Sequence, residues 1–132
     1  MIVADASAIL ELLLQSDSAP AIESRLFAGG DAIHVPALLD LEVAQVLRRY
    51  VLREDMTAAR ARVAIEVLQG LPMERHLHEP LLLRIWELRE NLTVYDACYV
   101  ALAEGLRATL VTCDARLAKA PGIRAPIELL GQ

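Results

Sequence analysis

Four acidic residues occupy positions at which carboxylates can bind a metal ion. They are Asp5, Glu42, Asp96 and Asp114. Asp5 and Asp114 each follow a short apolar run, so we expect both at the carboxyl ends of parallel strands, where ligands bind in open α/β sheets. Four carboxylates in one cleft repel one another unless cations neutralise them, and an all-oxygen set favours Mg²⁺ or Mn²⁺ over Zn²⁺. Together the four positions predict a metal-binding site at this edge of the sheet.

Glu42 is unusual because its neighbours on the predicted helix are apolar. Leu38 and Val46 lie four residues before and after it, so the three side chains share one helix face. An isolated buried charge is very costly, so a glutamate there must be paired with an arginine, bound to a metal or turned to a cleft. The sequence leaves these alternatives open.

The other three acids also have structural interpretations. Asp5 can begin the turn before the first helix. Asp96 lies three residues after Thr93, which is the spacing of a variant capping box. Asp114 can be the N-cap of the helix that follows it. Only the combination of the four positions favours a metal site over these local roles.

Strands that alternate with helices predict an α/β fold with a mostly parallel sheet covered on both faces. The predicted strands are 2–4, 33–35, part of 71–77, 109–113 and, weakly, 123–127. The predicted helices are 7–15, 18–28, 36–53, 57–69, 79–89, 94–106 and a short one that ends near 120. Ser7 is the predicted cap of the first helix, and its predicted inward side is Ile9, Leu10, Leu13 and Leu14.

The composition predicts one domain, residues 1–132, with a large core and a buried interface. Hydrophobic residues make up 55% of the chain, yet no apolar run approaches a membrane span. Asp5 interrupts the N-terminus, so we expect no signal peptide and a cytoplasmic location. The net charge of −5 does not suggest a nucleic-acid binder but suits a cluster of acids that takes up cations. Cys98 and Cys113 lack C-x-x-C spacing and are interpreted as reduced core thiols.

The sequence offers little support for other ligand sets. His34, His76 and His78 are interpreted as ordinary surface or core residues, and the His76-x-His78 spacing is too isolated to indicate a metal site. A P-loop and a G-x-G-x-x-G stretch are both absent from the sequence.

Several segments resemble a PIN domain. They are residues 3–8 (VADASA), 35–36 (VP), 42–43 (EV) with Arg48, 92–97 (LTVYDA) with Tyr99 and 101–103 (ALA), and 110–118 (LVTCDARLA). Their order and the short chain resemble specifically the VapC toxins of toxin–antitoxin pairs. The resemblance covers nearly the whole chain, although residues 57–89 contribute only a helical pattern. Asp40 has no clear role in the family pattern and could support the acidic site.

This resemblance implies a PIN-like three-layer α/β/α sandwich with about five strands and a Mg²⁺-dependent endoribonuclease, in which Mn²⁺ can substitute. The four acids would hold metal that polarises a scissile RNA phosphate and activates water, and a metal-free carboxylate would take the proton. Ser7 and Thr112 would support the site by hydrogen bonds. Candidates for contacts with the RNA backbone are Arg48, Arg49 and Arg116. The alternative interpretation is that these arginines are ordinary solvent-exposed residues on helix surfaces. The implied partner is a VapB-like antitoxin, which would provide the only link to DNA.

Three alternatives compete with the toxin interpretation. A receiver-type phosphoacceptor needs adjacent acids after the first strand and a lysine near the last strands. Asp5 has no acidic neighbour, and Lys119 lies on the wrong side of Asp114. A catalytically silent PIN-like interaction module is disfavoured because all four acids are present. A housekeeping RNA-processing nuclease remains open, although no added RNA-binding domain is recognisable.

The surplus of apolar residues also predicts self-association. Trp86 lies on a predicted helix with Leu82, Leu83 and Ile85, which favours a helical homodimer interface with two-fold symmetry. The alternative for Trp86 is an ordinary place in the core.

Overall fold

A parallel sheet forms the centre of the structure. The computed structural model describes residues 1–131. Its strands are β1 (Ile2–Ala4), β2 (Ile33–Pro36), β3 (Met73–His76), β4 (Thr109–Thr112) and β5 (Ile127–Leu129). They are all parallel, in the order β3-β2-β1-β4-β5. β1 lies at the centre and is buried throughout, as expected of an apolar strand in a sheet with two covered faces.

Helices cover the sheet. They are α1 (Ala6–Leu13), α2 (Ala19–Phe27), α3 (Leu38–Leu52), α4 (Ala58–Gly70), α5 (Leu82–Glu87), α6 (Val94–Leu106) and α7 (Ala115–Ala118). The mostly parallel sheet of about five strands, covered by helices, that the sequence predicts is therefore confirmed. None of the helices within residues 1–131 is both long and apolar enough to cross a bilayer.

Most element bounds agree with the sequence patterns, and two differ for reasons involving proline. The predicted strand 123–127 is displaced, because β5 begins only at Ile127. Pro126 has no N–H to donate to a strand ladder, although its carbonyl accepts from Leu110 N at 2.9 Å. The predicted helix 79–89 is divided into a 3₁₀ turn (Glu79–Leu81), which contains Pro80, and the short helix α5.

The cap of α1 also differs from the prediction. Asp5, rather than Ser7, is the N-cap, because the helix already begins at Ala6 and the Asp5 carboxylate accepts from Ala8 N at 3.1 Å. Of the predicted inward residues, Ile9 is fully buried, whereas Leu10, Leu13 and Leu14 are partly buried against the core.

Asp40 has a structural partner on the sheet. The guanidinium of Arg75, on β3, donates to both carboxylate oxygens of Asp40, on α3, at 2.8 and 3.0 Å. Arg75 also donates to the carbonyl of Leu68 at 3.3 Å. This two-point contact fixes α3, the helix that carries Glu42, to the sheet.

Candidate active site at the carboxyl edge of the sheet

Asp5 is buried at the end of β1 and is surrounded by hydrogen-bond donors. Its side chain is 5% exposed. Oδ1 accepts from Ser7 Oγ at 2.7 Å and from Ala8 N at 3.1 Å, and Oδ2 accepts from Thr112 Oγ1 at 2.6 Å. Burial raises the pKa of Asp5, the three donors oppose this rise, and the charge of Asp114 adds to it. The three hydrogen bonds thus fix the Asp5 carboxylate in position.

Ser7 and Thr112 also connect the two turns that follow β1 and β4. Ser7 Oγ accepts from Cys113 N at 2.9 Å, and Thr112 Oγ1 accepts from Asp114 N at 3.0 Å. The two hydroxyl oxygens lie 3.3 Å apart. These bonds hold Asp5 and Asp114 on neighbouring strands at one edge of the sheet. That position was expected from the sequence, whereas a role for the hydroxyls in catalysis stays a prediction.

Glu42 reaches the same edge from α3 and is bound by a buried tyrosine. Tyr99 is 1% exposed, and its hydroxyl donates to Glu42 Oε1 at 2.5 Å. Burial raises the pKa of Glu42, the Tyr99 hydrogen bond lowers it, and the charges of Asp96 and Asp5 raise it further. Sequence reasoning did not assign Tyr99 to the site. Its signal was a tyrosine hydroxyl on the apolar α6, three residues after Asp96, but Tyr95 on the same helix offers a second one.

Arg116 joins the remaining two acids. Its Nη2 lies 3.0 Å from Asp96 Oδ2 and 3.3 Å from Asp114 Oδ2, and these acids raise the pKa of the guanidinium. The helix caps are separate features. Thr93 Oγ1 accepts from Asp96 N at 3.1 Å, and Asp114 Oδ1 accepts from Arg116 N at 2.9 Å. The Asp96 carboxylate is therefore directed to Arg116, while Thr93 caps α6.

The other two candidate arginines lie on different faces of α3. Arg49 lines the same groove as Glu42, whereas Arg48 lines a separate groove between α3 and α4. Residues 48 and 49 are about 100° apart around a helix, so they cannot both face one cleft. The structure thus brings Arg116 into contact with Asp96 and Asp114 and places Arg49 on the groove that Glu42 lines, but does not bring Arg48 there.

The four acids form one electrostatic cluster with a donor set that fits Mg²⁺ or Mn²⁺. Asp5 interacts with Asp114, Glu42 with Asp5 and Asp96, and Arg116 links Asp96 to Asp114. A carboxylate has about four acceptor sites, and three donors occupy three of these sites on Asp5. Asp5 can therefore offer one remaining oxygen lone pair to a metal. Burial raises the pKa of the nearby Cys98 thiol to about 11. The Cys98 thiol therefore stays protonated and does not act as a ligand. The ligand atoms of the cluster are then carboxylate oxygens, which hard divalent cations prefer.

An apolar groove of about 480 Å³ lies next to Glu42, between α3 and the start of α6. Its walls include Leu41, which is 74% exposed, and Tyr95, which is 59% exposed. Exposed large apolar side chains next to a charged cleft are typical of a surface that a partner covers.

Comparison with known proteins identifies the family of the chain and agrees with its fold. The model of the PIN domain family matches residues 2–123. The chain is 42% identical to ribonuclease VapC12 of Mycobacterium tuberculosis over 130 residues, which covers 98% of this chain and 99% of the relative. It therefore has a PIN domain and belongs to the family of VapC ribonucleases.

Solved structures show the same fold at low sequence identity. The structure of VapBC2 from Rickettsia felis, bound to a DNA fragment from its promoter, contains a chain that aligns with a TM-score of 0.74 and 15% identity. The alignment covers 99% of this chain and 100% of that one. VapC20 of Mycobacterium tuberculosis, described as a sarcin-ricin-loop-cleaving toxin, aligns with a TM-score of 0.69 and 16% identity. That match covers 89% of this chain and 93% of that one.

Proposed function

We propose that the chain is a metal-dependent endoribonuclease that hydrolyses RNA phosphodiester bonds and acts as the toxin of a VapBC-type pair. The catalytic and metal-binding residues in this proposal are Asp5, Glu42, Asp96 and Asp114. The observation that carries it is the linked cluster of these four carboxylates at the carboxyl edge of the sheet. The family of the chain and the names of its relatives support the substrate class.

The four acids would hold Mg²⁺, or Mn²⁺ in its place. Bound there, the ion would polarise the scissile phosphate and make water a usable nucleophile. Asp5 suits a fixed ligand because Ser7 and Thr112 hold its two oxygens. When it is not bound to the ion, Glu42 is the carboxylate best suited to take the proton from water, because burial raises its pKa and Tyr99 sets its position.

Arg116 has two states in this proposal. Without metal it neutralises part of the charge on Asp96 and Asp114. A divalent cation on these acids would replace that function and release the guanidinium, whose side chain is already 67% exposed. A free guanidinium at the rim of the cleft is well suited to a phosphate of the RNA backbone.

The proposed partner is a VapB-like antitoxin that silences the site. The groove beside Glu42 suits an apolar anchor from such a partner, because Leu41 and Tyr95 expose large side chains there. We propose that the partner also inserts an arginine into the cleft. The contacts of Arg116 with both Asp96 and Asp114 support this insertion. A partner arginine that enters the cleft would find carboxylates already arranged for a guanidinium.

We also propose a homodimer through α5. Leu83 is 83% exposed, Trp86 60% and Leu82 56%, so Trp86 is not an ordinary core residue. Ile85 is buried and belongs to the core rather than to the interface that the sequence suggested. An exposed aromatic flanked by two leucines is typical of a protein contact.

The test of the catalytic proposal is the Asp96→Asn variant. Because Thr93 caps α6, the change should keep the metal-free free energy of unfolding within about 1 kcal/mol of the parent, which is the scale of an exposed ion pair. It should weaken Mn²⁺ binding and abolish or strongly reduce RNA cleavage, because one metal ligand loses its charge. Melting curves with and without Mn²⁺ and an RNase assay at saturating metal measure the three quantities.

Glu66→Gln is the matched control, since Glu66 is an exposed acid in an ion pair within α4. It should leave metal binding and cleavage unchanged. If Asp96→Asn cleaved RNA like the parent, Asp96 would not belong to the site. If the corresponding amide variants of Asp5, Glu42 and Asp114 did the same, the nuclease proposal would fail.

A further inference from the structure

Two histidines and a glutamate meet on strands that carry none of the four acids. His34 lies on β2, and Glu74 and His76 lie on the edge strand β3. His34 Nδ1 is 2.8 Å from His76 Nε2 and 3.5 Å from Glu74 Oε2. One nitrogen or carboxylate oxygen from each residue lies within 4.8 Å of the other two. This spacing is close to that of ligands around a single metal ion.

The strand register places the three side chains together. His34 is the direct partner of Glu74 in the parallel pairing of β2 with β3. Side chains alternate along a strand, so Glu74 and His76 share one face of the sheet, while Arg75 points to the other face and bonds to Asp40. The three donor atoms are therefore presented by hydrogen-bonded strands, which hold them more rigidly than a loop would.

His34 is a buried polar residue that the acidic site does not explain. Among residues 1–131, the buried polar side chains are Asp5, His34 and Thr112. Asp5 and Thr112 belong to the acidic site. His34 is 7% exposed and has the imidazole of His76 as its close partner. At this distance one imidazole nitrogen donates a hydrogen bond to the other, and a metal cation can take the place of the hydrogen between them.

We propose that His34, Glu74 and His76 form a second metal site, which binds Zn²⁺ or a similar transition-metal ion. The ligands are His34 Nδ1, His76 Nε2 and one carboxylate oxygen of Glu74. Two imidazoles and a carboxylate are a donor set for Zn²⁺ rather than Mg²⁺. The fourth tetrahedral position is left to water, which can reach the site because Glu74 is exposed.

The geometry needs only a small adjustment to accept the ion. Two nitrogens bound to one tetrahedral Zn²⁺ are about 3.3 Å apart, so the observed 2.8 Å separation must widen by about 0.5 Å. His76 is only partly buried, so its ring can make this movement. The bound ion joins β3 to β2, and Zn²⁺ therefore raises the melting temperature in a concentration-dependent manner.

The experiment is a Zn²⁺ titration of the full chain after chelator treatment, in competition with a chromophoric zinc chelator. Millimolar Mg²⁺ is present throughout to occupy the acidic cleft, whose oxygen ligands do not select Zn²⁺. The parent should bind one Zn²⁺ per chain. His76→Gln and Glu74→Gln should each weaken binding about tenfold or more, since even indirect partners of metal ligands are worth about 10–100-fold.

His78→Gln is the matched control, because His78 is exposed and lies two residues beyond His76. It should bind Zn²⁺ like the parent. Co²⁺ in place of Zn²⁺ gives a second measurement, since tetrahedral Co²⁺ has intense visible absorption that His76→Gln should remove. A parent chain that binds no Zn²⁺, or a His76→Gln variant that binds it equally tightly, would show that the histidines form only a hydrogen bond. RNA cleavage is not measured, so the result is independent of the proposed nuclease.

Discussion

The Tyr99→Phe substitution removes the hydroxyl that holds Glu42 and keeps nearly all of the buried ring. Tyr99 is 1% exposed and donates to Glu42 Oε1 at 2.5 Å. A hydrogen bond to a charged group contributes about 1.5–3 kcal/mol net, and the partial exposure of Glu42 places this case at the lower end. We therefore expect Tyr99→Phe to reduce the free energy of unfolding at neutral pH by about 1–2 kcal/mol, or roughly 3–8 °C in melting temperature.

The effect should depend on pH, because the hydrogen bond lowers the pKa of Glu42. Without it, burial and the charges of Asp96 and Asp5 act unopposed, so the pKa of Glu42 in the folded chain rises further above its ordinary value. Between the ordinary and the raised pKa the folded state binds more protons than the unfolded state, so stability falls as pH rises through this interval. The variant widens the interval, and its destabilisation should shrink at acidic pH, where Glu42 is protonated in both states.

Metal binding gives the second measurement. A Glu42 that holds its proton more tightly competes less well for a cation, so the Tyr99→Phe variant should need more Mg²⁺ for half-maximal cleavage. In its pH–activity profile, the loss of activity on acidification should begin at a higher pH than in the parent. Tyr95→Phe is the control, since Tyr95 lies one turn earlier on α6 and is 59% exposed. A Tyr99→Phe chain with parental stability at both pH values and parental Mg²⁺ dependence would refute this account of the Tyr99–Glu42 pair.

Two further predictions concern the rim of the cleft and the dimer. Arg116→Gln should bind Mn²⁺ at least as tightly as the parent, because no guanidinium competes for Asp96 and Asp114, yet it should cleave RNA more slowly. Weaker Mn²⁺ binding, measured by calorimetry, would contradict the proposed exchange. Light scattering at micromolar concentrations should give twice the chain mass, and Leu83→Glu should reduce it to that of the single chain. A strictly monomeric parent would rule out the α5 interface.

The sheet could be predicted because its signals are local. Parallel strands buried on both faces are short apolar runs, and β1 and β4 are each followed by an acid and a helix. The position of β5 could not be predicted in the same way, since residues 123–127 are apolar apart from Arg124 whether or not they pair. Pro126 decides where pairing begins, and its effect depends on the neighbouring strand.

The candidate site was predictable for its carboxylates and less so for their partners. Asp5 and Asp114 follow strands, so the edge of the sheet fixes their position. The partner of Glu42 is Tyr99, 57 residues away, and periodicity does not reveal which hydroxyl on an apolar helix meets an acid. The meeting of His34 with His76 depends on the register of β2 with β3, which the sequence does not specify. Their interpretation as ordinary residues did not anticipate it.

The two clusters differ in a way that separates their metals. The acidic edge offers carboxylate oxygens and contains Arg116 as a counterion, so the cation that enters it must displace a guanidinium and tolerate an all-oxygen shell. The cluster on β2 and β3 offers two imidazole nitrogens that are joined by a hydrogen bond, so its ion must replace that hydrogen bond and prefer nitrogen. Mg²⁺ meets the first requirement and Zn²⁺ the second. Trace Zn²⁺ in a nuclease assay would therefore act on the stability of the β3 edge while Mg²⁺ governed cleavage, and the two ions must be controlled separately before a metal response is assigned to either site.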